Sequence, residues 1–173
     1  KSRDMLSKLY PDLDVSNDAL PFMGYKEAEF FGVPSRIFRI SFSGELAYEI
    51  NVKSDHGMFM WEKMMEVGKE FGNQPYGTEA LSTLRIEMGH VAGPELDGRT
   101  IPSDVSLNGL VSKKKDFIGK NSLGREAFNV ESRQKIVGLI PIDRKSSIPE
   151  GSHIVQDQNA KLPNPKLGHV SSS

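Results

Sequence analysis

Cysteine is missing from the 173-residue chain. Its absence removes disulfides, thiolate metal ligands and a thiol nucleophile together, and it fits a reducing compartment, so the cytoplasm is the expected location. Net charge is almost missing too. Lys and Arg total 22 against 23 Asp and Glu, leaving -1, and the two signs are mixed along the chain. Neither nucleic acid nor an anionic membrane surface finds an electrostatic footprint here. No apolar run approaches the roughly 18 residues of a spanning helix, and the opening KSRDMLSKLY has no signal-peptide core. The sequence also contains no GxxxxGKS/T loop, no GxGxxG and no HExxH. His56, His90, His153 and His169 show no ligand spacing, so no metal site is expected. Ser43 lies in SGE rather than in a GxSxG elbow, which gives a serine nucleophile little support.

What is present is enough length for one sizeable core, or two small ones. Met5, Leu6 and Leu9 share one helical stripe, and Pro11 ends it. Both termini look cut from a longer protein: no capping residue precedes Lys1, and residues 168–173 stop where a strand would form. Met58, Trp61, Met65 and Gly68 mark the buried stripe of a helix from Asp55 to Phe71, capped by Ser54 and stopped at Gly72-Asn73. A further helix starts at Gly77-Thr78, buries Leu81, Leu84 and Met88, and stops at Gly89. Residues 91–112 read as a long ordered loop with at most one short strand. The lysines at 113, 114 and 115 read as a solvated charge run. Asn121-Ser122 caps a short helix to about Ala127, and strands are expected at 135–140, 153–156 and 168–171. The order of elements predicts an α+β fold, an antiparallel sheet covered by helices, over residues 1–132. A small partial β-barrel follows over 133–173.

The most informative stretch is SFSGELAYEI, residues 41–50. Between 36 and 52 the even positions Phe38, Ile40, Phe42, Leu46, Tyr48, Ile50 and Val52 are apolar, with Ile37 the exception. This period of two predicts a hairpin with a loop from Ser43 to Glu45, pairing Phe38 with Ile50 and Arg39 with Glu49. Glu45 and Glu49, four residues apart, would then lie about 13 Å from each other along extended backbone, too far to share one substrate atom. A single glutamate on a strand has two uses. It can balance Arg39 across the ladder, or it can accept two parallel hydrogen bonds from an N–C–N edge such as that of a pterin. The pattern leaves both open.

RISFSGELAYEI resembles the R-x-S-x-T-G-E-x-x-Y-E-I block of the folate-binding aminomethyltransferase family, whose founder is the T protein of the glycine cleavage system. PYGTEALSTLRIEMG (75–89) and DFIGK (116–120) follow in the family's order, and KSRDMLSKL, LPFM (20–23) and KIVGLIP (135–141) fit as well. The resemblance implies tetrahydrofolate as cofactor, with Glu49 matching the pterin-binding carboxylate, Tyr48 beside it, and Glu45 as a turn residue; Arg85 matches the LRxE arginine, although an ion pair with Glu79, Glu87 or another element is the stronger reading for it. Where the T proteins carry a second folate-contacting arginine this chain has Leu81. The catalytic aspartate of the T proteins falls upstream of Lys1, so no catalytic residue is expected within the chain.

Within the family, GHVAGPELDG (89–98) with VSKKKDFIGK (111–120) is similar to the branch carried by the alpha chains of heterotetrameric sarcosine-oxidising complexes. This implies an oxidoreductase that turns sarcosine and oxygen into glycine and hydrogen peroxide. The present portion would capture the released one-carbon unit as 5,10-methylenetetrahydrofolate, and would be inactive alone. FAD, FMN and NAD would be bound elsewhere in the complex, by partner subunits or by the rest of the alpha chain. A stand-alone aminomethyltransferase, the tail of a dimethylglycine dehydrogenase, and a non-catalytic assembly module with a vestigial folate pocket are the alternatives.

Overall fold

Val33, Ser35 and Ile37 point into the core while Pro34 and Arg36 face solvent, and this alternation organises the first half of the computed structural model, which describes residues 1–173. The contacts fall into two units, Lys1–Met88 and Gly89–Ser173. The first contains α1 (Ser2–Leu9), β1 (Tyr25–Phe30), β2 (Val33–Phe38), β3 (Glu49–Asn51), α2 (Gly57–Gly68) and α3 (Thr78–Glu87). The strands form one antiparallel sheet in the order β1-β2-β3. Helices and antiparallel sheet together make the unit α+β, as the element order predicts.

The register differs from the sequence expectation by one residue. Ile37 pairs with Ile50, and Phe38 with Glu49. Because successive strand residues face opposite sides, that slip turns over the side chains of β2, while Tyr48, Ile50 and Val52 keep the core side. Ile37, the exception to the pattern, is fully buried at 0% exposure and packs with Leu6, Leu9, Tyr10, Val15, Leu20, Phe30 and Met60. Burying a side chain of this size contributes roughly 1.5–3 kcal/mol, which the apolar even positions do not match because regular pairing ends at Phe38. Residues 39–48 carry no strand structure. The other arm of the hairpin is β1, joined to β2 through Phe31 and Gly32, with Phe30 paired to Val33. Both turn residues have positive φ, 49° and 75°. Asn-Gly is the usual choice for such a turn; Phe31-Gly32 does not announce it.

Polar groups tie α1 to the sheet. The Tyr10 hydroxyl and Ser35 Oγ share a buried hydrogen bond of 2.8 Å, and Ser35 also donates toward the Ala28 carbonyl. Burial raises the Tyr10 phenol pKa, so the neutral phenol is the form the core holds. Helix α2 turns a different stripe inward from the one predicted: Met60 and Gly68 are buried, with Phe59, Met64 and Val67 against the core. Met58 and Trp61 are exposed. Single 3-10 turns at Ser54–His56 and Lys69–Phe71 flank α2, and Ser54 makes no side-chain cap. Gly72, at φ 72°, ends the run as expected. In α3, Leu81 and Leu84 are half-buried, Met88 is exposed, and Arg85 is the buried residue.

The second unit is mostly irregular. It holds α4 (Lys120–Leu123), β4 (His153–Val155), β5 (Lys166–His169) and three isolated 3-10 turns. Gly119, not Asn121 or Ser122, occupies the N-cap of α4. The strand expected at 135–140 is absent, and so is one in 91–112. β4 and β5 form a two-stranded antiparallel sheet that does not close. The segment at 133–136 is held instead by Asp104. Arg133 donates to both carboxylate oxygens, Ile136 N–H to the Asp104 carbonyl at 2.7 Å, and Arg133 to the Arg99 carbonyl at 2.9 Å. A short clasp of charge and backbone thus replaces ladder pairing.

Two expectations follow. Ile37→Ala should cost about 2–5 kcal/mol in urea unfolding, the range for a truncated core aliphatic, and Phe38→Ala distinctly less; the reverse order would restore the register read from the pattern. The hydrogen bonds from Arg133 hold the Asp104 carboxyl at about 2, against an ordinary 3.8. A depressed carboxyl stabilises above its unfolded value, so this contribution should be complete above pH 4 and fade as pH falls toward 2. Asp104→Asn should remove roughly 1.5–3 kcal/mol at neutral pH, the worth of charge-assisted hydrogen bonds, and flatten that acid limb.

Candidate functional site

Glu49 opens β3, the edge strand, and its partner across the ladder is Phe38, whose own partner on β1 is Tyr25. The three side chains form one cross-strand row on the sheet face turned away from the core. Tyr25 and Phe38 stack with centroids 5.5 Å apart, and Tyr25 is 59% exposed. Side chains directly opposed in an antiparallel pair have Cβ atoms about 4.5–5.5 Å apart, which makes Glu49 and Phe38 lateral neighbours in the row. In the next row, Arg36 pairs with Glu27 at 3.2 Å, so the arginine on that face of β2 is already engaged. The Glu49 carboxylate makes no ion pair or hydrogen bond within the chain.

The expected Arg39–Glu49 pair is not formed. Arg39 keeps backbone hydrogen bonds to Met23 and Gly24 but faces the other side, where its guanidinium donates to Asn17 Oδ1 at 2.8 Å and to the Leu20 carbonyl at 3.1 Å. Tyr48 lies on that side as well. Its ring packs against the core, and its hydroxyl accepts from Arg3 Nε at 3.2 Å. Glu49 and Tyr48 are thus neighbours in sequence on opposite faces. Arg85, 6% exposed, is buried on α3. The sequence pattern points to neither Tyr25 nor Phe38: it predicts no strand at Tyr25, and its alternation places Phe38 in the core.

The loop before β3 is shaped by close contact. Gly44 has φ 83°, and a Cβ there would lie 2.3 Å from Met88 Sδ, so the residue allows both the backbone turn and the approach of α3's C-terminal end. Glu45 is exposed in this bend. Ser41 Oγ is buried with no hydrogen-bond partner, a deficit that costs roughly 1–3 kcal/mol.

The second unit has a cleft of about 550 Å3 lined by Leu96, Ile101, Val105, Leu110, Phe117 and Leu123 among others. None of the expected site residues lines it. Its walls are nearly all hydrocarbon, which suits apolar packing rather than the orientation of a polar heterocycle.

The fold and this row together define a helix-covered antiparallel sheet that presents one uncommitted acid beside two stacked rings. The chain belongs to the GCVT N-terminal domain family, whose model matches residues 1–115. It is 43% identical over its full length to the sarcosine oxidase subunit alpha of Corynebacterium sp. (strain P-1), of which it spans 18%. Against the aminomethyltransferase of Chloroherpeton thalassium identity is 32% over 91% of the chain and 42% of that protein. Against mouse mitochondrial dimethylglycine dehydrogenase it is 30% over 99% of the chain and 20% of that protein. The chain therefore spans a small part of the oxidoreductases it matches and under half of the transferase.

One contrast tests the two faces. Glu49→Gln should leave unfolding stability within about 0.5 kcal/mol of the parent, as for a surface site without partners, whereas Tyr48→Phe should lose about 0.5–1.5 kcal/mol with the Arg3 hydrogen bond. A large loss for Glu49→Gln in denaturant titration would show a structural role for the carboxylate.

Proposed function

We propose that this chain is the tetrahydrofolate-binding portion of a sarcosine oxidase alpha subunit, and that Glu49 holds the pterin. The observation that carries the reading is the row Tyr25, Phe38, Glu49. A pterin is a flat heterocycle with an N–C–N edge of two parallel donors. A carboxylate accepts both, and an adjacent aromatic surface receives the ring. The chain's residues fit the group on three counts: the acid lacks an internal cation, Arg36 is paired with Glu27, and the rings in its row are stacked, Tyr25 exposed and Phe38 half-buried.

Tyr48 and Arg85 enter as supports. Tyr48 anchors the start of β3 to Arg3, and the buried Arg85 serves α3, whose end Met88 seats the Gly44 bend. The identity to sarcosine oxidase alpha chains, higher than to the transferase or to dimethylglycine dehydrogenase, favours the oxidase branch. In that assignment oxidation of sarcosine releases a one-carbon unit at the formaldehyde level, and tetrahydrofolate takes it up as 5,10-methylenetetrahydrofolate with loss of water. The flavins and NAD of the complex belong to polypeptide outside residues 1–173, since the chain carries no phosphate-cradling motif. So do the other subunits of the heterotetramer, and the catalytic groups without which the chain alone is inactive. Residues 133–173, with a boundary near Ser132, are assigned to a small β-barrel module of which β4 and β5 are two strands.

In the intact protein, Glu49→Gln should weaken tetrahydrofolate binding by about 1.5–3 kcal/mol, the value of hydrogen bonds to a charged group, measured by calorimetric or fluorescence titration. Tyr25→Ala should weaken it by roughly 0.5–1.5 kcal/mol through lost stacking. Unchanged binding in Glu49→Gln would retire the pterin role and leave the assembly-module reading.

A further inference from the structure

On the opposite face from Glu49, two arginines converge on one neutral atom. Arg3 Nη2 donates to Asn17 Oδ1 at 2.6 Å and Arg39 Nη1 donates to the same oxygen at 2.8 Å. Their other acceptors are neutral too: the Tyr48 hydroxyl for Arg3 and the Leu20 carbonyl for Arg39. No carboxylate lies within ion-pairing distance of either, although Asp4 and Asp18 are close in sequence. The chain's other paired arginines behave differently. Arg36 has Glu27, Arg99 has Asp97 and Arg133 has Asp104.

Arg3 and Arg39 are half-buried as residues, while their contacts to Asn17 lie on the exposed side, so the forks are reachable from solvent and their repulsion is screened only in part. Arg3 also sits in the first turn of α1, where the helix field disfavours a cation. Each guanidinium presents five N–H donors in a planar fork, and the contacts above use a minority of them. Two such forks fixed about one oxygen form a preorganised donor set whose charge the chain leaves uncompensated.

We propose that Arg3 and Arg39 form a binding site for a small oxyanion, the carboxylate or phosphate group of a dissolved ligand, held bidentately between the two guanidiniums. Asn17 sets their spacing, and Tyr48 fixes the Arg3 fork. The site stands apart from the pterin assignment, because Tyr48 and Glu49 project to opposite sides of the chain.

The test is arginine modification by phenylglyoxal in the intact protein, mapped by peptide mass spectrometry, with inorganic phosphate against chloride at equal ionic strength. Phosphate should slow modification of Arg3 and Arg39 saturably, by about tenfold at nine-tenths occupancy, and leave Arg36 and Arg99 unaffected. Asn17→Asp, nearly isosteric, should abolish that protection by supplying an internal counter-ion. Equal rates in phosphate and chloride would overturn the proposal. So would protection that persists in Asn17→Asp, or arginines already unreactive without phosphate, which would mean that polypeptide covers them.

Discussion

Burial of Ile37 is the constraint on which the first unit depends. It lies at the centre of β2, flanked by Lys26 on one strand and Ile50 on the other, and it closes the cluster built by α1, the loop to Leu20, and Met60 of α2. Side chains of a strand alternate with period two, so fixing one residue inward fixes its neighbours. Ser35 falls inward, where Tyr10 satisfies its hydroxyl. Phe38 falls outward, and with it Glu49. The same constraint sends Arg39 and Tyr48 to the side of α1, where Arg3 and Asn17 receive them.

Much of this was legible in the residues. Helix α1, the ends of α2 and α3, the Gly72 and Gly89 stops, and two of the three C-terminal strands follow from apolar spacing and glycine placement. The family block around Glu49 was legible as well. The register was not, because two apolar sets compete between residues 33 and 42. Val33 and Ile37 are interrupted by Ser35, a polar residue acceptable in the core only because Tyr10 lies opposite. Phe38, Ile40 and Phe42 look cleaner, yet the strand ends before most of them. No local rule reveals a tertiary hydroxyl partner. β1 was hidden for a similar reason: in YKEAEF the inward positions are Lys26, Ala28 and Phe30, a weak apolar signal, and its turn uses Phe31 in a left-handed conformation. The strand expected at 135–140 has the right composition but no partner strand, and sheet hydrogen bonds need two strands.

An exposed glutamate on an edge strand has another ordinary explanation, since charges at sheet edges deter pairing with a second chain. That purpose accounts for Glu49 alone but not for its row. Protection against association is served by polar neighbours, whereas Glu49 continues a row of two stacked aromatic side chains, Tyr25 more than half exposed. Those rings add adhesive surface to the very face the charge would guard. A carboxylate whose neighbours are rings, with the arginine on that face of β2 already paired with Glu27, is arranged to receive a flat donor-bearing partner. On the reverse side the imbalance has the opposite sign: two guanidiniums share one amide oxygen and have no acid. The two sides of this sheet edge therefore carry complementary deficits, a carboxylate without a donor at Glu49 on one side and, on the other, two guanidiniums whose acceptors are all neutral. The slip that buries Ile37 is what keeps them from neutralising each other as Arg39 and Glu49.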